Sequence, residues 1–306
     1  LGKIAFVFPG QGAQAIGMGK DAYESNPAAR AIFDQADLTL GFSISKLAFE
    51  GPDEQLRQTA NTQPALLATS IALLETYKSQ GVTPDFVAGH SLGEYSALVA
   101  AGVLSFEDAI RLVRSRGQFM EQAVPSGEGA MAAVLGAERE ALQALCTDIS
   151  ASGALVELAN VNCPGQIVVS GSAQGVAAVV ERGKEAGAKR VIPLDVSGPF
   201  HSSLMQPAAD NLASELSKIS FNVAQVPVVA NVHALPVTSG EELRELLVKQ
   251  VVSPVQWEDT IKFLIGEGVD TFVEIGSGTV LAGLIKKIDK SVQIISVNTA
   301  ATAVAQ

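Results

Sequence analysis

The sequence is poor in the residues that usually announce a special chemistry. It has 2 cysteines, Cys146 and Cys163, in 306 residues. Two cysteines 17 positions apart supply neither a disulfide framework nor metal-ligand spacing, and they fit a reducing, cytoplasmic setting. There are only 3 histidines and 1 tryptophan, and aromatics make up 5% of the chain. Few histidines leave few candidates for a general base. Positive charge is also scarce: 21 Lys and Arg against 32 Asp and Glu give a formal charge of −11. Such a balance argues against general nucleic-acid binding. No apolar run reaches bilayer length; the best candidate, residues 65–74, is short and carries Thr69 and Ser70. No membrane segment is expected. The first residues lead directly into a strand-like run, so no signal peptide is expected either.

What is present is a large core. Apolar residues are 47% and charged residues 17% of the chain, the balance of a globular protein. Short apolar runs at residues 4–8, 85–88, 226–232, 271–275 and 292–297 alternate with helical patterns. That alternation predicts an α/β fold with a mainly parallel sheet covered on both faces. One helix is expected over residues 65–80, with Pro64 in its first turn. The tail, residues 299–306, is expected to fray. Between residues 126 and 199 the pattern changes. Strands at 130–135, 154–160, 166–170 and 190–196, with helices at 138–152 and 174–186, read β-α-β-β-α-β. This is a small ferredoxin-like subdomain, carried by a large domain made of residues 1–125 and 200–306.

The most informative stretch is residues 85–101. An apolar strand end, 86–88, meets a helical run, 97–101, through Gly89-His90-Ser91-Leu92-Gly93. Gly-x-Ser-x-Gly between strand and helix is a nucleophile elbow, the turn of α/β-hydrolase-like domains. The glycines permit the sharp turn, and the helix start favours a developing negative charge near the serine. One oxyanion donor would be the N–H of Leu92, and the loop Gly10-Gln11-Gly12 is a candidate for the second. That loop also matches a dinucleotide fingerprint superficially, as Gly10-x-Gly12-x-x-Ala15. The acidic residues at the required distance, Asp34 and Asp37, sit in a helical pattern instead, so nicotinamide binding is set aside.

A serine nucleophile needs a base. His90 neighbours Ser91 and should point away from it. His201, in Phe200-His201-Ser202, and His233, in Asn231-Val232-His233, both lie at element ends; His201 is favoured and His233 stays open. No triad acid stands out, because Asp148 and Asp195 are not in strand-end loops of the main domain. Arg111, Arg114 and Arg116 lie one helix past the elbow. An arginine turned inward there could grip a substrate carboxylate with two parallel hydrogen bonds.

Taken together, the motifs resemble the malonyl-CoA:acyl carrier protein transacylases along nearly the whole chain. The resemblance is carried by Phe8-Pro9-Gly10-Gln11-Gly12, Thr62-Gln63-Pro64-Ala65, the elbow through Ser96, and Arg114-Ser115-Arg116-Gly117. It continues in residues 160–166, Phe200-His201-Ser202, residues 250–257 and Phe272-Val273-Glu274-Ile275-Gly276. It implies a malonyl-serine intermediate on Ser91, with His201 as base. It further implies that a backbone carbonyl of Gln250 orients His201 in place of an acid. Arg116 would bind the malonyl carboxylate, and the N–H groups of Gln11 and Leu92 would form the oxyanion hole. Gln63, Asn160, Gln166 and Arg190 would line the acyl or coenzyme A channel. The implied partners are malonyl-CoA and acyl carrier protein, with no cofactor and no metal, and a monomer is expected. The acidic carrier could meet a basic patch of Lys189, Arg190, Lys286, Lys287 and Lys290. The competing readings are a serine thioesterase or esterase with the same elbow, a non-catalytic carrier-binding protein, and an acyltransferase domain of a polyketide synthase.

Overall fold

In a computed structural model, described over residues 2–304, eleven strands form two sheets. The strands are β1 (Lys3–Phe8), β2 (Phe86–Gly89), β3 (Gly129–Leu135), β4 (Val156–Cys163), β5 (Gln166–Ser172) and β6 (Arg190–Pro193). They continue with β7 (Val228–Val229), β8 (Pro236–Val237), β9 (Val255–Gln256), β10 (Val269–Ile275) and β11 (Gln293–Val297).

The larger sheet has the order β11-β10-β1-β2-β7-β8. All its pairings are parallel except β7 with β8. Its central strands read as unbroken apolar runs because helices cover both faces. Ala5, Val7 and Ala88 pack with Trp257 and Leu281 on one side, while Phe6, Phe8 and Val87 pack with Leu67, Ile71 and Tyr95 on the other. Near the carboxyl end of β10, Glu274 is buried and accepts the N–H groups of Leu281 and Ala282, in the first turn of helix Val280–Ile288. Burial pushes this carboxyl up to about 7 against those two bonds.

The smaller sheet has the order β6-β3-β5-β4-β9. Strands β3 to β6 are antiparallel, and β9 adds in parallel to β4. Helices Arg139–Ala151 and Ala173–Arg182 complete the β-α-β-β-α-β order read from the sequence. The two-residue strand β9 was not expected. Its backbone joins the small sheet although its sequence neighbours belong to the large layer, a pairing that periodicity cannot reveal.

Three local expectations change. Helix Thr59–Tyr77 begins six residues earlier than the apolar pattern suggested, so Pro64 lies inside it. Proline removes the N–H that would bind the carbonyl of Ala60. Arg114 donates to that carbonyl instead, at 2.8 Å, and to Asn61 Oδ1 at 2.7 Å. The strand expected over 226–232 shrinks to β7, because the chain turns away after Val229. The tail is not frayed over 300–304: Ala300–Val304 is helical and Ala303 is buried; residues 305 and 306 lie outside the described residues.

Candidate active site

The elbow forms as its glycines dictate. A Cβ on Gly89 would run into the carbonyl of Gly93, and one on Gly93 into the carbonyl of Phe8. Ser91 takes φ 52°, a left-handed conformation that costs a non-glycine residue roughly 1–3 kcal/mol. The loop after β1 comes equally close, since a Cβ on Gly10 would meet the carbonyl of His90. Neither Leu92 N–H nor Gln11 N–H has a protein acceptor among the described residues.

Ser91 Oγ lies 2.7 Å from His201 Nε2. His201 is also left-handed, at φ 59°, and its Nδ1 is 2.9 Å from the carbonyl of Gln250. A carbonyl can only accept, so Nδ1 carries the proton and Nε2 faces the serine with a free lone pair. Burial and the nearby Arg116 push the imidazole down to about 3, while the Gln250 carbonyl pulls the other way. It is therefore neutral at ordinary pH. The other candidates fall elsewhere. His233 Nδ1 accepts the N–H of Leu235 in a local turn. Asp148 pairs with Arg182, and Asp195 with Arg57, both on the surface.

Of the three arginines, Arg111 is exposed beside Glu107, and Arg114 serves the helix break described above. Arg116 is buried at 1% exposure. It donates to Gln63 Oε1 and Gln250 Oε1, each at 2.8 Å, and to Ser91 Oγ at 3.2 Å. Its guanidinium lies 5.4 Å from the Tyr95 ring, and its Nε–H has no partner among the described residues. No carboxylate forms an ion pair with it there. Tyr95 and Glu94 bear on it electrostatically, and Glu94, also buried, accepts the Asn231 N–H at 2.7 Å. Burial raises the Glu94 carboxyl to about 7, opposed by that N–H and by Arg116. The cation is thus held by two neutral amides and the serine hydroxyl.

A cavity of about 190 Å³ opens at Ser91 and His201. Its walls include Gln11, Asn160, Asn162, Gln166 and Phe200. Gln63 does not line it: fully buried, it stands behind Arg116 and against the sulfur of Met120. Arg190 is exposed on β6, outside the lining. His90, which the sequence left without a role, bridges the two sheets. Its Nε2 is 2.7 Å from Asn162 Oδ1, and its ring lies 5.5 Å from that of Trp257. Among the described residues no cluster of side chains could hold a metal ion, and no helix is long and apolar enough to cross a membrane.

Sequence reasoning missed Glu94 and Asn231. The segment after β7 drew attention for His233, yet Asn231 is the residue that reaches the elbow. A charged residue inside the apolar run 92–101 was the available signal for Glu94.

A parallel sheet with a serine elbow, a histidine held by a carbonyl and a buried arginine define an acyl-transferring enzyme. The chain belongs to the acyl transferase domain family, which matches residues 5–304. It is 57% identical over 298 residues to a malonyl CoA-acyl carrier protein transacylase of Bacillus subtilis (strain 168), covering 97% of this chain and 94% of the relative. It superposes with TM-score 0.95 on the crystal structure of an acyl carrier protein S-malonyltransferase from Vibrio cholerae, at 46% identity and 98% coverage of each chain. The same score, at 44% identity and 99% and 98% coverage, relates it to a malonyl-transacylase in complex with its type II polyketide acyl carrier protein.

Proposed function

We propose that this enzyme transfers the malonyl group from malonyl-CoA to the phosphopantetheine thiol of acyl carrier protein in fatty-acid synthesis. The observation that carries the reading is Arg116: a buried cation with only neutral partners, which donates to Ser91 Oγ at 3.2 Å. An acyl group ending in a carboxylate satisfies it, whereas a neutral acyl group leaves it without a counter-charge.

His201 takes the proton of Ser91, and Oγ attacks the thioester carbonyl. The oxyanion rests on the N–H groups of Leu92 and Gln11, each worth about 3 kcal/mol in such a role. The intermediate collapses, and coenzyme A leaves with the proton returned by His201. The carrier thiol then gives its proton to His201 and attacks the malonyl-serine ester, and Ser91 recovers its proton as it leaves. Gln250 orients His201 through its carbonyl. Asn160 and Gln166 contact the substrate along the cavity wall, Gln63 holds Arg116, and Arg190 meets the coenzyme A or carrier outside it.

In this reading the larger layer, residues 1–125 and 200–306, is an α/β-hydrolase-like catalytic domain, and residues 126–199 form a ferredoxin-like subdomain. The strand order β6-β3-β5-β4 supports the second assignment. The enzyme works as a cytoplasmic monomer, which accords with a site assembled from one chain. The exposed cations Lys189, Arg190, Lys286, Lys287 and Lys290 receive the acidic carrier.

Intact mass after mixing with malonyl-CoA tests the core of this. A malonyl adduct is expected on the wild type, absent from Ser91→Ala, and discharged by carrier protein. Discharge by water alone, at the same rate with and without carrier, would identify a hydrolase instead.

A further inference from the structure

Asn231 follows β7 at the carboxyl end of the larger sheet and is completely buried. Its side-chain amide spans the elbow on both sides of His90. Nδ2 donates to the carbonyl of Gly89 at 2.6 Å, and Oδ1 accepts the N–H of Ser91 at 2.8 Å. The same Oδ1 accepts from Gln250 Nε2 at 3.2 Å. Its backbone is fixed as well, with the N–H on Glu94 and the carbonyl on Gln256 N–H at 2.9 Å.

Two consequences follow. First, the left-handed Ser91 persists only if its surroundings over-determine it. Asn231 occupies the Ser91 N–H, while the next N–H, that of Leu92, stays free to face an oxyanion. Second, Gln250 Nε2 must donate, because both its neighbours, Asn231 Oδ1 and the Ser91 carbonyl, are acceptors. Its Oε1 is thereby turned to Arg116. One amide thus touches the nucleophile directly and the guanidinium through Gln250.

We propose that Asn231 is the positioning residue of this site, fixing the backbone of Ser91 and the orientation of Gln250 so that nucleophile, base and guanidinium stay in register. This rests on the reading of Ser91 as nucleophile. The role demands a donor toward Gly89 and an acceptor toward Ser91. Aspartate has the same shape but meets the Gly89 carbonyl with an oxygen. Only its protonated form restores the donor.

The experiment measures kcat and KM for malonyl transfer, with thermal midpoints, for wild type, Asn231→Ala and Asn231→Asp between pH 6 and 8. Misplacement of reacting groups by about 1 Å lowers rates roughly 100-fold, so Asn231→Ala should lose about that factor in kcat with little change in KM. Asn231→Asp should be similarly impaired at pH 8 and regain at least about tenfold, relative to wild type, at pH 6. The other titratable groups facing this spot, Glu94, Arg116, His90 and His201, are common to all three proteins, so the ratio to wild type isolates residue 231. A packing role alone predicts no recovery with acid. A kcat within threefold of wild type in both variants, or a ratio that ignores pH, overturns the proposal. Failure of both variants to fold assigns Asn231 to sheet stability and overturns it too. A wild type that takes no malonyl adduct sinks the Ser91 reading instead.

Discussion

The larger layer brings backbone N–H groups to the cavity along with the Ser91 and His201 side chains, whereas the five-stranded sheet brings the side-chain amides of its strands. At the carboxyl ends of β1 and β2 the groups that matter are the N–H of Gln11, the N–H of Leu92 and the strained turn at Ser91. From β4 and β5 come the amides of Asn160, Asn162 and Gln166. The first set is locked by glycines that admit no Cβ; the second sits on the β4–β5 antiparallel pair, whose register shifts between Leu158 and Asn160 and between Val161 and Cys163. In the proposed reading this is a division of labour: chemistry rests on geometry that few substitutions respect, and recognition rests on amides that can change singly.

This division can be broken, most severely at the elbow. Ser91→Ala and His201→Ala should each lower malonyl transfer by about 10⁴-fold or more, since such residues act as a unit. Stopped assays with malonyl-CoA and carrier protein measure this, and a residual rate within tenfold of wild type would refute the assignment. Next comes Arg116→Ala, which should lower kcat/KM for malonyl-CoA by roughly 10²- to 10³-fold, a few kcal/mol. Acetyl-CoA should gain relative to malonyl-CoA in the same competition assay. An unchanged malonyl-to-acetyl ratio would remove Arg116 from selectivity.

On the other sheet the effect should be smaller and of another kind. Asn160→Ala and Gln166→Ala should each raise KM for malonyl-CoA about 3- to 20-fold, the worth of one or two hydrogen bonds, while kcat stays within threefold. A fall in kcat at constant KM would show that the small sheet takes part in chemistry.

The mildest test concerns pH. Glu94 is raised to about 7 in the fold, from an ordinary value near 4.5. The folded protein therefore holds this proton more tightly than the unfolded chain does. Stability from Glu94 is present below about pH 4.5 and lost as pH rises to about 7, up to roughly 3 kcal/mol. Glu94→Gln keeps the acceptor for Asn231 N–H and cannot ionise. Its thermal midpoint should fall less than that of wild type between pH 5 and 8. Parallel profiles would show that Glu94 stays charged throughout, as counter-charge to Arg116. His201 has the opposite sign: its depressed value means that stability is lost as pH falls below about 6.5 toward 3.

Much of this was legible in the residue order. The elbow is a local device, so Gly89, Ser91 and Gly93 disclose it within five positions, and the β-α-β-β-α-β run discloses the small sheet. Other parts were not legible from spacing. The group that orients His201 is a backbone carbonyl, which every residue possesses; only the family resemblance pointed to Gln250. The start of helix Thr59–Tyr77 was misjudged because Arg114, 54 positions after Ala60, repairs the gap that Pro64 leaves.

The sequence by itself determined where a sharp strand-to-helix turn with a serine must form, since glycine content and apolar period act over a few residues. Only the tertiary structure decided which groups serve that serine. Asn231, Gln250, His201 and Arg116 come from four separate segments, and what joins them is the need of buried donors and acceptors to find one another.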